Sequence, residues 1–143
     1  MPVTIVQIAQ EIYDDLEDEN LSIPSISTWL RANVGNLNVN IATSFSINEN
    51  DLSISPEISI DAKAIFKQMY FCRYYKRRAD SVLNNALTNN ILSLKDDVSS
   101  VNFVNKSELS KTYKSIADSE CQKLATMTDL YKRNRALPKD TGC

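Results

Sequence analysis

A chain of 143 residues is long enough to bury a hydrophobic core without staples and short enough to be read as one domain. Eighteen acidic against sixteen basic residues leave a formal charge of −2, which gives no general electrostatic pull toward nucleic acid. Histidine is absent, removing the commonest general base and zinc ligand, and two glycines are too few for a Gly-rich phosphate loop, so neither an enzyme nor a cofactor is expected.

The three cysteines, Cys72, Cys121 and Cys143, are far apart and odd in number. Two of them fall on predicted helix faces where a small apolar side chain fits, so all three are expected to be reduced and structural. The sequence has no secretory signal and no apolar run of membrane length, which predicts a soluble chain made in a reducing compartment, with no membrane partner.

Thr4 to Leu16 reads as a first helix. Ile5, Ile8, Ala9, Ile12, Tyr13 and Leu16 share one face, and Thr4 with Gln7 has the spacing of a capping box. Asp14, Asp15, Glu17, Asp18 and Glu19 then crowd its C-terminal end, where the helix dipole disfavours negative charge. The run is either a solvated turn or an acidic docking pole. Pro24 opens a second helix carrying Ile26, Trp29, Leu30 and Val34, with Ser22 or Ser25 available to cap it and Gly35 expected at its end. Trp29 is expected as a core anchor. In the stretch that follows, Leu37, Ile41 and Phe45 step by four while Leu37, Val39 and Ile41 alternate; a short helix is favoured. Asn48 to Ser53 reads as a polar loop.

The longest pattern runs from Ser55 to Leu87. Ile58, Ala62, Ile65, Met69, Cys72, Ala79, Leu83 and Ala86 form one apolar stripe broken only by Lys76, which predicts a long central helix opened by Ser55 and Pro56. Beyond Thr88 to Asn90, Ile91 to Leu94 and Val98 to Val104 are short, apolar and β-branched, and Lys95-Asp96-Asp97 separates them; these predict a small β-hairpin whose open edge could join a neighbouring copy. Asn105 with Glu108 then caps a last helix bearing Leu109, Tyr113, Ile116, Ala117, Cys121, Leu124, Met127, Leu130 and Tyr131, antiparallel to the central one. The fold class expected is mainly α, a small helical bundle around a long central helix with one inserted β-hairpin. Residues 1–135 would form a single domain and 136–143 a C-terminal tail.

One constellation stands out, Arg73-Tyr74-Tyr75-Lys76-Arg77-Arg78. Basic residues interleaved with aromatic ones can contact phosphates and stack on bases, although consecutive helical positions point around the whole circumference. Such a band suits either a solvated helix or a surface complementary to the acidic pole of another copy. Asp14, Asp15, Glu17, Asp18, Arg73, Lys76, Arg77 and Arg78 are therefore candidate subunit-interface residues.

The strings SIPSISTWLRANVGNLN, SISPEISIDAKAIFKQMYFCRYY and SSVNFVNKSELSKTYKSIADSECQKL together resemble the small virion neck proteins of tailed phages, especially cyanophages with contractile tails. More broadly, the layout is similar to the head-tail connector or adaptor family. The resemblance implies a homo-oligomeric ring of twelve copies beneath the portal protein, extending the channel through which genomic DNA passes without specific binding. It also implies contact with an adjacent neck or tail protein, a place in the virion neck after assembly in the host cytoplasm, and a portal grip by the C-terminal segment, here Arg133, Arg135, Leu137 and Pro138. The net acidity suits a channel wall along which DNA must slide. The alternatives left open are another tail or neck component such as a tail terminator, or a helical nucleic-acid-binding regulator using Arg73, Lys76, Arg77 and Arg78.

Overall fold

In the computed structural model, residues 2–93 and 97–136 are described, with side chains described up to residue 82 and again at 109 and 111–134. The elements run α1 (Ile5–Leu16), α2 (Ile23–Ile41), β1 (Ser46–Ile47), β2 (Ile54–Ser55), α3 (Ile60–Ser93) and α4 (Asp97–Ala136). Among the described residues the protein is mainly helical with one two-stranded antiparallel hairpin. The chain divides into two compact units, residues 1–70 with 124–143, and residues 71–123.

The first unit holds most of the described core. Thr4 caps α1 through the reciprocal bonds of a capping box, its hydroxyl accepting from Gln7 N at 3.1 Å while Gln7 Oε1 accepts from Thr4 N at 3.0 Å. Ile5, Ile8, Ala9 and Ile12 are fully buried on the face that packs against α2. α2 starts where Ser22 accepts from Ser25 N, with Pro24 in its first turn, where a missing N–H leaves no helical bond unmade.

α2 does not stop at Gly35. It runs on to Ile41 and closes at Ala42 in the left-handed conformation (φ 55°), so the glycine is an interior helical residue. Asn38 makes that later end. Its side-chain oxygen accepts from Phe45 N at 2.8 Å and from Thr43 Oγ1 at 2.9 Å, and its amide donates to Phe45 O at 2.9 Å. These three bonds satisfy groups the departing chain would otherwise leave unpaired. Leu37, Ile41 and Phe45 are buried, in keeping with their four-residue step, whereas Val39 is 79% exposed. Trp29 is half-buried, its ring edge-on to Tyr70 at 5.2 Å.

The hairpin lies before the central helix, not after it. Ser46 pairs with Ser55 and Ile47 with Ile54 around the turn predicted as a polar loop. Two strands are marginal alone, but the N-terminal segment bonds alongside: Ile5 N donates to Leu52 O at 2.8 Å, Ile54 N donates to Val3 O at 2.9 Å, and Thr4 bridges Ser53. Buried Ile54 and Phe45 anchor it. The strands expected at Ile91–Leu94 and Val98–Val104 are corrected: residues 91–93 belong to α3 and 97–104 to α4, while 94–96 lie outside the described residues. β-branched composition is a weak preference that helix pairing overrides. For the same reason α4 begins at Asp97 rather than at Asn105.

α3 begins at Ile60, with Ser59 as cap (Ala62 N donates to Ser59 Oγ at 3.1 Å), later than the expected Ser55–Pro56 start because Ser55 is taken by β2. Of its predicted stripe, Ile58, Ala62, Ile65, Met69, Cys72 and Ala79 are buried; the side chains of Leu83 and Ala86 lie outside the described residues. In the first unit burial spreads beyond one stripe. Phe66, Gln68 and Tyr70 are also buried, as expected for a helix covered on several sides.

The second unit is a pair of antiparallel helical segments, since partners run in opposite order along α3 and α4: Cys72 with Cys121, then Arg78 with Tyr113. Cys72 and Cys121 form a disulfide, their Cα atoms 4.7 Å apart across a separation of 49 residues. This corrects the expectation of reduced cysteines. Spacing along the chain could not show that the two positions meet; the pairing of the helices brings them together.

Candidate interaction surfaces

The acidic pole is built by the end of α1. Glu17 takes a left-handed conformation (φ 51°), its N–H donating to Tyr13 O, and the chain turns away with Asp18 Oδ1 accepting from Asn20 N at 2.9 Å. Part of the pole is already used inside the first unit. Lys67 Nζ lies 2.9 Å from Asp15 and 3.8 Å from Glu11, and Lys63 Nζ lies 3.3 Å from Glu11. Two lysines four apart on α3 thus clamp two carboxylates four apart on α1, so the charge of Asp15 is already paired although its side chain is exposed. Asp14 is exposed and accepts from Gln10 Nε2 at 2.9 Å; Glu17 is exposed too. Of the four acidic interface candidates, Asp14 and Glu17 present charge outward most fully.

The sequence reading missed this clamp. The signal was present as matched i,i+4 spacing of opposite charges, Glu11/Asp15 and Lys63/Lys67, but only the fold shows which pairs face each other. Exposed carboxylates and half-exposed lysines of this kind are worth little each, about 0–1 kcal/mol, so the clamp sets the seating of α1 more than the stability of the fold.

The basic band lies on α3 in the second unit and divides by helical angle. Arg73, Lys76 and Arg77 occupy neighbouring directions, with Lys76 and Arg77 exposed, whereas Arg78 turns the other way. Arg78 is half-buried, its guanidinium over the Tyr113 ring at 5.6 Å. The interleaved aromatics pack in the unit itself. Tyr74 and Tyr75 meet edge to face at 5.1 Å, and the Tyr75 hydroxyl is held above its usual pKa by burial first, then by the nearby charges of Glu120 and Tyr113. The band is therefore a charged surface backed by a tyrosine cluster, and not a row of bare rings.

At the C-terminal end, Arg133 pairs with Asp129 at 3.2 Å, both well exposed. Arg135 is helical, its side chain outside the described residues, and Leu137 and Pro138 lie outside them altogether. Nearby in the first unit, Asp61, Ala64 and Ile65 of α3 face Met127, Leu130, Tyr131 and Asn134 of α4 across a groove of about 500 Å³. Leu130 is 51% exposed there. Among the described residues, no group of three His, Cys, Asp or Glu side chains could hold a metal ion, and no helix is long and apolar enough to cross a membrane.

No family model, curated protein or solved structure matches the chain.

Proposed function

We propose that the chain is a structural virion protein that forms a ring in the head-to-tail neck of a tailed phage, below the portal, extending the DNA channel and joining head to tail. One observation carries the reading from the structural side: charge is divided between the two units. Residues 71–123 hold nine Lys and Arg against six Asp and Glu, while the rest of the chain holds seven against twelve. A closed ring of identical copies needs two different patches that complement each other, because each copy meets its neighbours head to tail. Asp14 and Glu17 on one copy and Lys76 and Arg77 on the next supply such a pair, and charge matching sets register and rejects wrong neighbours.

The neck assignment itself rests on the resemblance of the three strings quoted above. The residues expected to form a joining ribbon belong, where described, to the end of α3 and the start of α4, so the proposed contact between copies is made by charge. A net-acidic ring lets DNA slide past without holding it.

The test is a charge swap in the full chain. Asp14→Lys with Glu17→Lys, and separately Lys76→Glu with Arg77→Glu, should each abolish assembly seen by mass photometry at low salt, and the four changes together should restore it. Assembly of the unaltered chain should weaken from about 50 to 500 mM salt as screening shortens the reach of exposed charges. A chain that stays monomeric at every salt concentration, with and without portal, or a particle image with no density for it between head and tail, would refute the proposal.

A further inference from the structure

We infer that the Cys72–Cys121 bridge is a reversible two-electron latch on the second unit, opened by a dithiol and closed by a small-molecule disulfide. This does not rest on the neck reading. Among the described residues of that unit Cys72, Ala79 and Ala117 are buried, which places the bridge on the inner face of the helix pair. Ile116 is only half-buried and Leu109 is 46% exposed. The cross-link joins positions 49 residues apart and deprives the open pair of much of its conformational freedom, which gives it a large share in keeping the pair closed.

Two further observations favour reversibility over a sealed staple. Cys121 is half-buried whereas Cys72 is nearly covered at 9% exposure, so Cys121 is the more open of the two to a thiolate from solution. Arg78 and Tyr113, with the guanidinium over the ring at 5.6 Å, also hold the same register beside the bridge. They keep the freed thiols opposite each other, so reclosure is an intramolecular step.

Opening begins when one thiolate of the dithiol attacks Cys121 Sγ. The cystine bond breaks, and Cys72 leaves as a thiolate that takes up a proton. The second thiol of the reagent then attacks the mixed disulfide and releases Cys121; two electrons have passed to the cystine and the reagent leaves as its own disulfide. Closure by a glutathione-type disulfide is the same exchange in reverse. Because Arg73–Arg78 follows Cys72 directly, the state of the latch governs how rigidly the basic band is presented.

The experiment uses the full chain carrying Cys143→Ser, so that the third thiol cannot exchange. Thiols are counted by alkylation and mass spectrometry after incubation with dithiothreitol or glutathione disulfide without denaturant, and amide exchange is followed in both states. The bridge should reduce under these native conditions. Exchange within Arg73–Val82 and Lys111–Glu120 should then quicken on the order of a hundredfold, with Ile5–Leu16 and Ile23–Ile41 changing little, and glutathione disulfide should reverse the effect. A Cys72→Ser/Cys121→Ser variant should match the reduced state and ignore dithiothreitol; if it fails to fold, the reduced chain carries the same measurement. Thiols that stay free in the oxidising buffer, a bridge that resists dithiothreitol until the chain is unfolded, or exchange unchanged by reduction would each overturn the inference.

Discussion

Replacing Gly35 by alanine separates two accounts of α2 by the sign of the effect. In the structure Gly35 is an exposed interior position of the helix, its φ is not positive, and a Cβ built there meets no atom within 4 Å. Nothing steric therefore opposes a methyl group, and the unfolded chain loses freedom that glycine alone enjoys. Alanine exceeds glycine in a helix interior by about 0.8–1 kcal/mol. For a chain of this size that corresponds to roughly 3–5 °C in Tm. With a urea slope of about 2 kcal/mol/M it corresponds to roughly 0.4–0.5 M in the midpoint. Urea unfolding of Gly35→Ala followed by circular dichroism should show that upward shift. Had the helix ended at Gly35 in the left-handed conformation, a Cβ would be strained there and the midpoint would fall instead. A lower midpoint would refute the continuous α2, and with it the placement of the Asn38 clip that ends the helix.

Phe66 is fully buried and Ile60 is 82% exposed, although both are large apolar residues in the first two turns of α3. Phe66→Ala should cost about 3–5 kcal/mol and Ile60→Ala no more than about 0.5 kcal/mol, so comparable losses in urea would show that the described core is wrong. The raised pKa of Tyr75 sets an alkaline limit. Above the ordinary tyrosine value of 10.0 the unfolded chain loses this proton while the folded chain keeps it. Its contribution is thus fully present below that pH and is lost as pH rises through the folded value. Tyr75→Phe should flatten the alkaline fall in stability, and identical pH profiles for the two chains would contradict the burial that causes the shift.

Much of the fold was legible because helices leave local signatures. The Thr4/Gln7 box, the Ser22 cap ahead of Pro24 and the alternation from Ile58 to Ala79 all depend on residues within a few turns of one another, and each is found in the structure. Errors arose where a local signal competed with a partner elsewhere. Gly35 looked like a helix end because glycine commonly is one, yet Asn38 and Ala42 provide a better-bonded end six residues later. The β-branched residues after Ile91 looked like strands because intrinsic preference is all that a single segment reveals.

The candidate surfaces show the same division. Composition marked an acidic run and a basic band, but which charges are already engaged was decided by neighbours: Lys67 pairs with Asp15, and Tyr113 takes Arg78. The sequence by itself determined the Thr4 and Ser22 caps and the apolar positions from Ile5 to Ile12 and from Ile58 to Ala79, since these follow from backbone hydrogen bonding and a period of 3.6 residues. Only the tertiary structure decided that Cys72 meets Cys121, that Lys63 and Lys67 reach back to α1, and that the hairpin precedes α3. Contacts between residues dozens of positions apart depend on how whole helices dock, and no local pattern encodes that register.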